Sequence, residues 1–279
     1  MLNVQQNKLN DVGASKLGEA LFDCKNLSSL TLNISDNNIC LQGATELGNS
    51  LGKCNNLINL NLNISKNRLK DEEITGLANG IGQNQSLEQL ILNLQWNKIS
   101  SEGATFLGTE IGKCQNLTFL QLNLYYNDIT NYGYSALGLQ IAECNNLVNL
   151  TLMLNGQIFS GVGEPCLFQG LQKCKNLQTF RIDLSQCTIN QQSFVNIGAL
   201  IGKYSNLTYL QFSFKRGVYY QNKIVNQGIV QFVDGLKVSK SLLNLYISLT
   251  FNLVNFESRS KASQNLKKMR QLIQLQIIF

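Results

Sequence analysis

The stretch "NLSSLTLNISDNNI", residues 26–39, returns thirty residues later as "NLINLNLNISKNRL", 56–69. It returns again as "SLEQLILNLQWNKI", 86–99, and as "NLTFLQLNLYYNDI", 116–129. The apolar set Leu27, Leu30, Leu32 and Ile34 keeps that step down to Leu207, Leu210, Phe212 and Phe214. Leu2 and Val4 fit one step earlier. Leu242, Leu245, Ile247 and Leu249 fit after a five-residue insertion, and Leu272, Leu275, Ile277 and Phe279 fit one step later. About ten copies are thus present, and a fixed period of this size governs the rest of the reading.

Within a copy, Leu30, Leu32 and Ile34 alternate with Thr31, Asn33 and Ser35, the signature of a strand with one buried face. The second half, "GATELGNSLGKC", spaces Ala44, Leu47, Gly48 and Leu51 as one helical stripe. Gly48 recurs as Gly18, Gly108, Gly138 and Gly198. A mid-helix glycine costs roughly 1 kcal/mol against alanine, so its recurrence predicts close approach of helix to sheet. Units of strand, turn, helix and return stack in one direction as a parallel sheet with helices on one side. Strands lie ~4.8 Å apart and packed helices 8–10 Å. The predicted fold is therefore one α/β solenoid domain over 1–279, bent into a horseshoe with a concave sheet and convex helices.

The line L-x-x-L-x-L-x-L-x-x-N-x-I, followed by G-A-x-x-L-G-x-x-L-x-x-C, resembles leucine-rich repeats of the ribonuclease-inhibitor-like subclass. It has two extra residues in the strand segment, and this thirty-residue variant is similar to repeat arrays common in ciliate proteins. The resemblance covers essentially the whole chain. It implies a non-catalytic protein-interaction scaffold working through the concave face or its rims. By analogy alone it also suggests a structural subunit of a larger cytoskeletal or ciliary assembly. The alternatives are a regulator of an enzyme, either an inhibitor or a GTPase activator, and an RNA-associated subunit. Repeat proteins that activate GTPases usually carry an acidic tail, whereas this C-terminus is basic.

The chain has no histidine, which removes Ser-His-Asp and Cys-His nucleophiles and His-based metal sites. It contains no C-x-x-C pair and no phosphate-cradling glycine loop. The expectation is no enzyme activity, no cofactor, no metal and no small-molecule substrate. No apolar run approaches ~20 residues, and "MLNVQQNKLN" lacks the features of a secretory signal. An intracellular, cytoplasmic protein without membrane insertion is expected.

Asn37, Asn67, Asn97, Asn127 and Asn252 recur at the strand exit, where a buried amide can tie each turn to the next. Gln157, Cys187 and Gly217 break that ladder, which predicts irregularity between 155 and 227. Cys24, Cys54, Cys114, Cys144 and Cys174 share one repeat position and are expected to be buried free thiols. Seven Asn-x-Ser/Thr sequons, at Asn26, Asn33, Asn63, Asn84, Asn116, Asn149 and Asn206, read as by-products of asparagine-rich repeats.

Two candidate surfaces remain. On the concave face, beside the polar line Asn33, Asn63, Asn93 and Asn123, stand Ile91, Trp96, Phe119, Tyr125, Tyr126 and Met153. Trp and Tyr dominate interface hot spots, so these six form the candidate partner-binding patch. Charge is uneven too: residues 203–279 carry 11 Lys/Arg and 2 Asp/Glu, a net +9, against a net −3 for the remainder. The insertion "KRGVYYQNKIVNQ", 215–227, supplies Lys215, Arg216, Tyr219, Tyr220 and Lys223, and the C-terminus adds Lys261, Lys267, Lys268 and Arg270. A single-sign end of this kind favours an acidic protein partner, with nucleic acid the less-favoured one. The closing strand "QLIQLQIIF" has no capping repeat after it, so its edge is expected to be covered by a partner or by further repeats.

Overall fold

The computed structural model describes residues 1–156, 163–215 (163–165 by backbone alone), 226–250 and 254–279. Ten parallel strands form one sheet in sequence order. They are β1 Leu2–Asn3, β2 Ser29–Asn33, β3 Asn59–Asn63, β4 Gln89–Asn93, β5 Phe119–Asn123, β6 Asn149–Met153, β7 Thr179–Asp183, β8 Tyr209–Ser213, β9 Asn244–Ser248 and β10 Gln274–Ile278. Between them run α1 Asn10–Asp23, α2 Leu41–Gly52, α3 Asp71–Gln83, α4 Ser101–Gly112 and α5 Asn131–Ile141. The second half continues with α6 Gly163–Leu171, α7 Gln191–Ile201, α8 Asn226–Leu236 and α9 Phe256–Lys267. This is an α/β solenoid: each strand pairs with the next and each helix packs on the next.

Register follows the repeat. Leu30 pairs with Leu60, Leu60 with Leu90 and Leu90 with Leu120. The step lengthens once, where Tyr209 of β8 faces Asn244 of β9. Identical positions therefore stack in columns, and the inward strand leucines form a continuous core with Leu47, Leu77, Leu107 and Leu137 from the helices. In the C-terminal half phenylalanine takes over, with Phe194 stacked on Phe232 at 4.5 Å and both rings fully buried.

The asparagine ladder is built as its chemistry demands. Asn67 Nδ2 donates to the carbonyls of Ile34 and Ile64, both at 3.1 Å, while its Oδ1 accepts from the main chain of Asn37 and Ile39. Asn97 repeats the pattern in full, and Asn127 donates likewise to Leu94 and Leu124 while its oxygen accepts from the Ile99 main chain. Cys187 occupies the same column, and its thiol donates to the Leu154 carbonyl at 3.2 Å. Asn252, Gln157 and Gly217 lie outside the described residues.

Two expectations are corrected. Cys54, Cys114, Cys144 and Cys174 are buried, but Cys24 is exposed. The buried thiols of Cys54, Cys114 and Cys144 reach carbonyls of the helix one repeat earlier, at Leu21, Ile81 and Ile111. Among the described residues no earlier helix packs against α1, so Cys24 has no such neighbour and bonds only within its own helix, to Ala20. The recurrent glycine, in turn, serves helix–helix contact rather than helix–sheet contact. A Cβ on Gly48 would meet Leu77 Cα at 2.7 Å and the Gly76 carbonyl at 2.8 Å, and a Cβ on Gly80 would overlap the Gly48 carbonyl. The pair Gly138 and Gly170 does the same between α5 and α6, and Gly198 and Gly235 do so between α7 and α8.

Candidate functional site

The helix-free face of the sheet is lined by the outward strand positions. Much of it is structural. Asn33, Asn63, Asn93 and Asn123 each turn their side-chain oxygen back to the main-chain N–H two residues on, at 3.1–3.2 Å, and so cap the strand exit. Asp183 does the same for Ser185 at 2.9 Å. Met153 stands in this column with a thioether, a much weaker acceptor.

After the cap, the chain enters the left-handed region at Asp36, Lys66, Trp96, Tyr126, Gly156 and Gln186. That conformation suits Gly, Asn or Asp and strains a bulky residue. Trp96 nevertheless adopts φ 56° and Tyr126 φ 50°. The Trp96 N–H donates to the Tyr125 carbonyl at 2.9 Å, which holds the turn against the next repeat. The result is a three-ring cluster. Trp96 stacks on Tyr126 with centroids 4.0 Å apart, and Tyr125 stands edge-on to Tyr126 at 4.3 Å. Gly156, next in the column, leaves room: a Cβ there would lie 3.1 Å from the Tyr125 ring. Trp96 stays 48% exposed, a large desolvation reserve for one side chain.

Beside the rings opens a cleft of about 320 Å³ lined by Tyr125, Met153, Asn155, Arg181, Asp183 and Gln211 among others. Arg181 and Asp183 are the only charged residues at outward positions of the described strands. Asp183 is engaged, accepting from Asn155 Nδ2 at 2.8 Å as well as from Ser185. The Arg181 guanidinium lies 4.5 Å over the Tyr209 ring, and Tyr209 packs on Tyr246 at 5.3 Å. A strip of ring, thioether, guanidinium and ring thus crosses β5 to β9.

Of the six residues singled out from the sequence, Trp96, Tyr125 and Tyr126 come together, and Met153 joins Tyr125 in the cleft. Ile91 lies mid-strand opposite Gln121, and Phe119 lies at the start of its strand opposite Gln89 and Asn149. Phe119 opens β5 and Tyr125 lies two residues beyond its end at Asn123, so the two stand at opposite ends of the strand, roughly 20 Å apart at extended spacing. Arg181, Tyr209 and Tyr246 were missed, although a column-by-column reading would have flagged Arg181 as the lone cation. Of the basic set, Lys215 follows β8, Lys261 is on α9, and Lys267, Lys268 and Arg270 lie at and beyond the end of α9. Arg216, Tyr219, Tyr220 and Lys223 fall outside the described residues.

Among the described residues no helix is long and apolar enough to cross a membrane. The chain matches no known protein-family model, and no curated protein sequence matches it.

Proposed function

We propose that this chain is a leucine-rich-repeat protein of the ribonuclease-inhibitor-like kind, and that it acts as a non-catalytic intracellular scaffold binding a protein on the helix-free face of its sheet. The observation that carries this reading is the strained, half-exposed Trp96 stacked on Tyr126. Two bulky aromatics held in the left-handed region oppose local preference, and strain of this sort gathers at functional positions. The strip from Trp96 through Arg181 to Tyr246 is composed of Trp, Tyr, Met and Arg, the residue types enriched at protein interfaces.

The test compares native-extract capture on the full chain and on the Trp96→Ala/Tyr126→Ala chain. A partner retained by the first and lost from the second is then purified and titrated. Each single change is expected to weaken binding by roughly 2 kcal/mol. An unchanged set of captured proteins on both baits sinks the reading.

A further inference from the structure

The loops that leave α6, α7, α8 and α9 are joined in series. Asn206 Nδ2 donates to the Lys175 carbonyl at 2.6 Å, Ser241 Oγ to the Tyr204 carbonyl at 3.3 Å, and Gln271 Nε2 to the Ser239 carbonyl at 2.7 Å. Their side chains therefore share one rim, on the opposite side of the sheet ends from Trp96. Lys173, Lys175, Lys203, Lys237 and Lys240 all stand exposed there. Lys267, Lys268 and Arg270 extend the same row, also exposed. Asp234 is the only carboxylate in these loops and the helix turns that feed them, and Lys237 holds it at 3.1 Å.

Helix C-termini attract cations, which accounts for a lysine at one position per repeat. It does not account for this row. In the N-terminal half the same helix-end column alternates, carrying Asp23, Lys53, Gln83, Lys113 and Glu143, and Lys113 is held by Glu110 at 2.6 Å. Two residues further on, the column that holds Lys175, Ser205, Lys240 and Arg270 in the C-terminal half holds Lys25 and then Asn55, Gln85, Gln115 and Asn145 in the N-terminal half. The cations are concentrated in four consecutive loops, spanning about 25–30 Å at the usual helix spacing. Two aliphatic side chains sit among them: Val238 is 62% exposed and Ile273 is 75% exposed. A phosphate backbone gains nothing from such groups. The four loops also present no exposed aromatic ring on which a base could stack, Tyr204 being buried with its hydroxyl on the Phe168 carbonyl.

We propose that this helix-exit rim binds an acidic protein segment in which carboxylates alternate with aliphatic side chains. About eight extended residues, or a helix of about 18, would span the row. The inference is independent of the sheet-face reading.

The probe is a fluorescein-labelled peptide of about 18 residues built from Glu-Glu-Leu repeats, titrated by anisotropy with the full chain. Lys175→Glu/Lys203→Glu/Lys240→Glu should weaken binding at least about tenfold. Val238→Ser/Ile273→Ser should weaken it at least about threefold. Lys25→Glu/Lys53→Glu/Lys98→Glu, of equal charge change, and Trp96→Ala/Tyr126→Ala should each change it less than about twofold. Melting curves verify that the variants fold, and the corresponding triple alanine variant replaces the glutamate one if it does not. Tighter binding of an oligouridylate of equal charge overturns the proposal in favour of RNA. Equal binding of a Leu→Ser version of the peptide, or equal loss in the Lys25/Lys53/Lys98 control, overturns it in favour of unspecific charge attraction.

Discussion

The side-chain oxygen of Asn67 accepts the main-chain N–H of Asn37 at 2.9 Å, across one full repeat. The same oxygen takes the N–H of Ile39, and the amide nitrogen returns two bonds to the carbonyls of Ile34 and Ile64. One buried side chain thus satisfies four main-chain groups that have left the sheet. Each unsatisfied buried group costs about 1–3 kcal/mol.

Asn67→Ala is therefore expected to lower stability by about 3 kcal/mol or more, read as a urea midpoint shift. Asn67→Cys should cost visibly less, because a thiol can still donate, as Cys187 does to Leu154. Equal losses for the two variants would show that the amide's acceptor bonds alone matter.

Gly80 and Gly108 make opposite predictions although both are helical. A Cβ at Gly80 meets the backbone of α2 at Gly48, which cannot yield without parting the helices. Gly80→Ala should cost about 3 kcal/mol, the scale of an overpacked core. At Gly108 the nearest atoms are 3.2 Å away, two of them side-chain atoms of Gln140 and Leu137. Relief of the helix penalty, about 1 kcal/mol, should leave Gly108→Ala within about that amount of the parent. Chemical denaturation of both variants distinguishes them.

Trp96 offers a separation of stability from binding. Its left-handed backbone is one that asparagine tolerates. Trp96→Asn gives up the stacking on Tyr126, worth roughly 1 kcal/mol, and relieves strain of similar size. Thermal stability should stay within about 1 kcal/mol while partner binding falls. A large destabilisation would mark Trp96 as a structural residue.

The period made the sheet, its register and the asparagine ladder legible, because each follows from which residues repeat. It did not disclose which neighbour a glycine approaches. Gly48 and Gly80 meet with a 32-residue offset that neither the repeat nor the helical period contains. Trp96, Tyr125 and Tyr126 were visible as aromatics in polar columns, but their mutual stacking depends on left-handed turns and on the space above Gly156. Lys267, Lys268 and Arg270 of the rim stood out in the sequence, but Arg181 and the rim lysines Lys173, Lys175, Lys203, Lys237 and Lys240 escaped for a shared reason. Charge was summed along the chain, whereas the fold sums it down columns: Lys175 and Lys240 are 65 residues apart in sequence yet separated by only one intervening loop in the stack.

The buried thiol column predicts how the fold responds to alkali. Burial pushes Cys114 from its ordinary 9.0 up to about 11, with the nearby Glu110 charge adding to the effect. Burial pushes Cys144 and Cys174 up to about 12. In each case the folded chain keeps a proton that the unfolded chain loses once pH passes 9. The unfolded state then binds fewer protons, so stability must fall as pH rises. The stability these thiols protect is complete below about pH 8 and drains away from pH 9 toward 11 or 12. The slope approaches about 1.4 kcal/mol per pH unit for each thiol once its unfolded form is ionised. Buried Tyr134 and Tyr204 are raised as well, from an ordinary value of 10.0, so they contribute only at higher pH. Urea unfolding under reductant between about pH 8.5 and 10 isolates the thiols. The Cys114→Ala/Cys144→Ala/Cys174→Ala chain should start less stable, through lost packing, yet lose much less of its stability across that window than the parent. If the two chains lose stability in parallel, the thiols ionise as freely in the fold as outside it, and the column is not the sealed layer its burial describes.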